Sequence, residues 1–179
     1  MMRVSNSIDR YWMGSLDHHP IRSMTISFDL DDTLILTSRA VPLEPKTILM
    51  RLLGTESLRL GTRQLFRSLK SHRHRIVIYT TSMREPLRVR AMFWLYGIPV
   101  DEVINQQSHN ARLGYRASSH SKLPSAFGID LHVDDLPGVA IEGERYGFNI
   151  LILGQTESDW VRLVLRAVEA QSRDGRLTP

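Results

Sequence analysis

The sequence predicts one α/β domain built on a parallel sheet with helices on both faces, and three observations carry that prediction. Short apolar runs bounded by polar residues recur along the chain, and stretches with helical periodicity alternate with them. The 42% hydrophobic content over 179 residues suffices to bury a single core without disulfide or metal staples. There is no internal repeat and no low-complexity tract.

Residues 1–22 lack periodicity and read as an N-terminal arm, residues 23–173 carry the domain, and 174–179 form a short tail. Five strands are expected, over 24–29 (MTISFD), 75–79 (RIVIY), 102–105 (EVIN), 130–134 (DLHVD) and 149–153 (NILIL). Between the first two, GTRQLFRSLKSH sets Leu65, Phe66 and Leu69 on one helical stripe. Ser82 and Glu85 have the spacing of a capping box ahead of REPLRVRAMFWLYG, and Gly97 reads as that helix's stop. LPGVAIEGERYG predicts a shorter helix starting near Pro137. SDWVRLVLRAVEAQ predicts a C-terminal helix with Val161, Leu165 and Val168 facing inward.

Composition narrows the function classes. The formal net charge of +4 favours anionic partners, but it includes no long block of like charge, so nucleic acid is admitted as a partner and not implied. Of the 23 basic residues only Lys46, Lys70 and Lys122 are lysine, which draws attention to each. No run approaches the roughly 18 apolar residues of a membrane helix, and the start lacks the apolar stretch of a secretory signal, so a soluble, cytoplasmic protein without membrane partners is expected. Zero cysteines exclude disulfides, thiolate nucleophiles and cysteine zinc sites.

The first strand ends in ISFDLDDTL. Strand alternation lets Asp29 and Asp31 face one space while Leu30 faces away. Acids crowded beside an apolar run raise each other's pKa unless a cation sits among them, and a divalent metal meets that need. Alone, DLDD reads equally well as a solvated turn. The rest of the chain argues otherwise. DLHVDD ends in Asp134 and Asp135, and parallel strands open their carboxyl ends on one edge, where open sheets bind ligands. RIVIY runs into Thr80, Thr81 and Ser82, hydroxyl donors at the start of a helix and suited to phosphate oxygens. Lys122 lies in the polar stretch before Asp134.

In that order, carboxylate, hydroxyl, lysine and carboxylate pair, the chain resembles the haloacid dehalogenase superfamily. Asp29, Asp31 and Thr33 match its DxDxT motif, Thr80 its second motif, Lys122 its third, and Asp134 with Asp135 its fourth. The resemblance covers about residues 22 to 155. It implies a Rossmann-like three-layer sandwich with strand order 5-4-1-2-3 and no full cap domain, since only 35–45 would form a small flap. It makes Asp29 the nucleophile and Asp31 the general acid and base, with Thr33, Thr80, Thr81 and Lys122 holding phosphate; Ser82 is an alternative to Thr80. It implies a magnesium cofactor ligated by Asp29, Asp134 and the Leu30 carbonyl, with Asp31 and Asp135 in the set, Asp135 directly or through water. The implied activity is phosphomonoester hydrolysis through an aspartyl-phosphate. An uncovered site suggests a large substrate, a phosphoprotein or a nucleic acid end. The alternatives are a nucleotide or small-metabolite phosphatase closed by a partner subunit, and a non-catalytic phosphoacceptor or binding module. A receiver domain carries related residues, but places its acidic pair first, whereas here the pair comes last.

Several residues are assigned no function. His18 and His19 read as a solvated pair, His72 and His74 as a surface turn, and His132 as a packed core histidine. Phe93, Trp94 and Tyr96 read as core or interface, and Arg84, Arg88 and Arg90 as a solvated helix face, with Arg84 near enough to the second motif to reach a substrate.

Overall fold

The computed structural model describes residues 22–37 and 41–174. The arm up to residue 21, with His18 and His19, part of the expected flap and the end of the tail lie outside the described residues. The elements run β1 (Thr25–Phe28), α1 (Ile48–Leu52), α2 (Thr62–Ser71), β2 (Arg75–Tyr79), α3 (Pro86–Leu95), β3 (Glu102–Ile104) and α4 (Gln106–Leu113). Two 3-10 turns follow, Gly114–Ser119 and Pro124–Phe127, then β4 (Leu131–Asp134), α5 (Pro137–Tyr146), β5 (Ile150–Ile152) and α6 (Trp160–Asp174).

The sheet has the order β3-β2-β1-β4-β5 with every neighbouring pair parallel, as expected. Parallel sheets bury both faces, which is why the strands read as nearly continuous apolar runs. Alternation still sorts their side chains. Ile26, Phe28, Ile76, Ile78, Leu131 and Val133 join the main core with Leu65 and Phe66 of α2, Phe93 of α3 and Val164 of α6. Phe28 stacks at a tilt on Phe66 with ring centroids 4.9 Å apart. Val77 and Tyr79 belong to a second cluster with Ile104 and Ile129, while Leu113, Leu123, Val139 and Phe148 pack α4 and α5 together. The result is an α/β sandwich of three layers, and no second domain interrupts it among the described residues.

Two helices differ in detail from expectation. The cap of α3 is Glu85, whose carboxylate accepts from the Leu87 and Arg88 amides, rather than Ser82; Pro86, which has no amide to satisfy, opens the helix proper. In α6 the inward stripe is Trp160, Val164, Leu165 and Val168, with Val161 only partly covered. The segment between β1 and α2 carries α1, which periodicity did not predict. It is tied down by Arg59, fully buried, donating to the Gly154 and Glu157 carbonyls and lying over the Trp160 ring. His74 is buried and not in a surface turn. Its Nδ1 accepts from the Met24 amide at 3.1 Å, joining the β2 edge to the start of β1. No helix among the described residues is long and apolar enough to cross a membrane.

Candidate active site

Asp29, Thr80, Asn105 and Asp134 all stand at the carboxyl edge of the sheet. The Asp29 amide donates to the Val133 carbonyl at 2.8 Å, extending the ladder between β1 and β4, and the Thr80 amide donates to the Ile104 carbonyl at 2.9 Å. Because side chains two residues apart share a face, Ser27 and Asp29 on one strand lie on the same side as His132 and Asp134 on the other. Lys122 enters that space from the loop between the two 3-10 turns. Its Nζ donates to Asp29 Oδ1 and to Asp134 Oδ2, each at 2.5 Å, and all three groups are buried.

Asp134 is the better anchored acid. Besides Lys122 it accepts from the Leu136 amide at 2.9 Å and meets His132 Nε2 at 3.0 Å, while the other ring nitrogen of His132 lies 2.7 Å from Ser27 Oγ. The serine hydroxyl donates to Nδ1, so the neutral ring carries its proton on Nε2 and gives it to the carboxylate. Burial lowers the His132 pKa to about 4, which keeps the ring neutral near pH 7. Burial alone would raise Asp134, but the His132 hydrogen bond and the Lys122 charge outweigh it and hold that carboxyl well below the usual range. Asp29 has fewer partners. Burial pushes it up to about 6 against the opposing pull of Lys122.

The remaining acids of the first motif separate. Asp31 is half-exposed and takes both oxygens to Arg84 Nη1 at 2.5 Å, and Arg84 Nη2 reaches Glu56 at 2.9 Å. Arg84 is thus paired, not merely solvated. Asp32 sits at φ 58° and its Oδ1 accepts from the Thr37 amide and hydroxyl, the role of a turn residue. The Thr33 hydroxyl, expected to hold phosphate, donates to Asp135 Oδ1 at 3.1 Å and so ties the two acidic motifs together. Burial raises the Asp135 pKa. The Leu30 carbonyl, expected as a metal ligand, accepts from the Leu34 and Ile35 amides at 3.1 and 2.8 Å and is occupied by that turn. Among the described residues no hydrogen bond is made to the Asp31 carbonyl.

Among the second-motif hydroxyls, Thr80 is buried and its Oγ1 accepts from the Ser82 amide at 3.1 Å, keeping its proton for another acceptor, whereas Thr81 is exposed. The structure therefore brings Asp29, Lys122 and Asp134 into direct contact, sets Thr80 on the same edge, and commits Thr33 and Leu30 elsewhere. A cleft of about 370 Å³ adjoins this edge and is lined by Leu53, Glu56, Arg84, Arg88 and Met92; it meets the acids only through Arg84 and Glu56.

No family model matches the chain, and no curated protein matches it. Among solved structures, the chain is similar to one described as "a predicted HAD-like family hydrolase from Porphyromonas gingivalis", at 16% identity and a TM-score of 0.47. The match covers 80% of this chain and 97% of that one.

Proposed function

We propose that this chain is a magnesium-dependent phosphomonoester hydrolase that passes the phosphoryl group through a covalent aspartyl-phosphate on Asp29. The observation that carries the reading is the meeting of Asp29, Lys122 and Asp134, from three separate stretches of sequence, at the carboxyl edge of the sheet. The resemblance of the motif order to the haloacid dehalogenase pattern supports it.

The donors suit magnesium, which binds through one or two carboxylates and keeps water or substrate oxygens at its other positions. Asp29 and Asp134 lie close enough to share the Lys122 ammonium; with that ammonium turned to the phosphoryl oxygens, the two carboxylates and the Asp31 carbonyl would hold the ion. Bound there, magnesium supplies the positive charge that lets an anionic carboxylate approach an anionic phosphate.

Asp29 attacks phosphorus, and the bond from phosphorus to the leaving oxygen breaks as Asp31 delivers a proton to that oxygen. Asp31 then takes a proton from the water that attacks the aspartyl-phosphate, which releases phosphate and restores Asp29. Arg84 Nη1 donates to both Asp31 oxygens and so fixes where that carboxyl sits. Lys122 and the Thr80 hydroxyl donate to the phosphoryl oxygens, where charge builds in the transition state. His132 and the Leu136 amide hold Asp134 in place. With no cap over the edge among the described residues, and an open cleft beside Arg84, the expected substrate is a large one, a phosphoprotein or a nucleic acid end.

Purified protein with magnesium is expected to hydrolyse p-nitrophenyl phosphate, and Asp29→Asn to bring the rate to background while the circular dichroism spectrum stays that of the wild type. Equal rates in the two proteins would remove Asp29 from the chemistry. A panel of phosphopeptides, nucleotides and phosphorylated DNA ends then ranks the substrate classes.

A further inference from the structure

Lys122 poses a placement problem. It sits in a loop of neither helix nor strand, yet its side chain is buried and its ammonium reaches two carboxylates at 2.5 Å each. A lysine stem has four rotatable carbons and does not fix its own head group. The backbone beneath it must be fixed instead.

Two side chains from different elements do this. Glu142, on α5, accepts from the Ser121 amide at 3.0 Å, the Ser121 hydroxyl at 2.6 Å and the Lys122 amide at 3.2 Å. Tyr79, the last residue of β2, accepts from the Leu123 amide at 3.0 Å. Three successive amides, on either side of the lysine and at it, are therefore held by one carboxylate and one phenol. The phenol is itself oriented. Its oxygen accepts from Leu123 and shares a hydrogen bond of 2.5 Å with His109 Nδ1, and His109 is buried on α4. The Tyr79 ring packs edge-on against Phe127, the end of the second 3-10 turn, so the ring has its own packing role, separable from that of the hydroxyl.

We propose that Tyr79 and Glu142 are positioning residues that set the Lys122 ammonium between Asp29 and Asp134, with His109 aiming the Tyr79 hydroxyl. The placement stands on the hydrogen bonds alone; its catalytic consequence rests on the hydrolase reading. Each anchor also links the loop to an element that bears a site group. Tyr79 directly precedes Thr80, and α5 directly follows the Asp134 and Asp135 pair, so the clamp keeps lysine, hydroxyl and acids in one frame.

The chain's three lysines make the test direct. In protein labelled with nitrogen-15 lysine, the ammonium of Lys122 is expected to give a slowly exchanging NMR correlation, assigned by its loss in Lys122→Met. Tyr79→Phe removes only the hydroxyl, and Glu142→Gln keeps the shape while removing the charge and an acceptor. In each variant that correlation is expected to broaden or vanish, and kcat/KM for p-nitrophenyl phosphate to fall by roughly 10- to 100-fold, the scale of a small misplacement at a reacting centre. Thermal midpoints identify any variant that has merely lost its fold, and the other variant then carries the test. A Lys122 correlation unchanged in both folded variants overturns the proposal. Loss of the correlation in a protein that hydrolyses no phosphoester upholds the clamp and overturns the hydrolase reading instead.

Discussion

Asp29 is an anion kept where its surroundings disfavour one. Burial raises its pKa to about 6 from an ordinary 3.8, even with Lys122 beside it, so at pH 7 the folded protein ionises this group at a cost the unfolded chain does not bear. Removing the charge while keeping the shape should therefore stabilise the metal-free protein. Asp29→Asn is expected to raise unfolding free energy at pH 7 by on the order of 1–3 kcal/mol, read by urea titration in chelator, while it is expected to abolish the proposed hydrolysis. A destabilised variant would mean that the Lys122 contact outweighs the burial cost. The sequence made the acids legible because they end two apolar strands, and from their crowding it called for a divalent metal among them. It did not reveal that the protein supplies its own, Lys122 for Asp29 and Asp134 and Arg84 for Asp31, since such partners lie far apart along the chain. For the same reason the hydroxyl of Thr33 and the carbonyl of Leu30 could be placed near the site, but their commitment to Asp135 and to the turn amides could not be read.

At the scale of elements, all five strands were legible because burial on both faces leaves little ambiguity in an apolar run of four or five residues. The irregular stretches were not. α1, α4 and the two 3-10 turns have no apolar period to announce them, and the lysine loop they flank takes its shape from Glu142 and Tyr79 rather than from its own residues. His74 shows how an edge misleads: one polar residue before a strand looks like a turn, yet its ring closes the join between β1 and β2. That ring makes a pH prediction. Its Nδ1 accepts from the Met24 amide, so protonation there would break the bond, and burial lowers the pKa from 6.5 to about 4. Above pH 6.5 the ring is neutral in both folded and unfolded chains and exerts no proton-linked effect. Below it the unfolded chain takes up a proton that the folded one refuses, so stability falls as pH drops toward 4. The wild type is expected to lose on the order of 2–3 kcal/mol more than His74→Gln over that window, measured by urea unfolding at stepped pH. Parallel curves for the two proteins would show that the ring protonates freely in the fold.

For the whole molecule, the two faces of the sheet differ in kind. One is sealed by α2, α3 and α6 over an apolar core; the other carries Ser27, His132 and Tyr79, which with His109 of α4 form a polar layer that leads to the Lys122 loop. That layer ends at Asp29 and Asp134, whose shared cation is a single lysine. Two buried carboxylates with one positive charge between them leave a net negative centre in a basic protein, which is the electrostatic ground for the magnesium proposed above. Binding to the folded state alone stabilises it, by about 2.7 kcal/mol at a hundredfold excess over the dissociation constant. For a chain of this length that corresponds to a rise of roughly 5–10 °C in the thermal midpoint. Magnesium is thus expected to raise the midpoint of the wild type and to leave Asp134→Asn unmoved, whereas sodium chloride at equal ionic strength is expected to shift the two proteins equally, because general screening of the basic surface acts on both alike. A shift that survives in Asp134→Asn would place the ion elsewhere on the molecule, and no shift in the wild type at any magnesium concentration would take the metal out of the proposed chemistry.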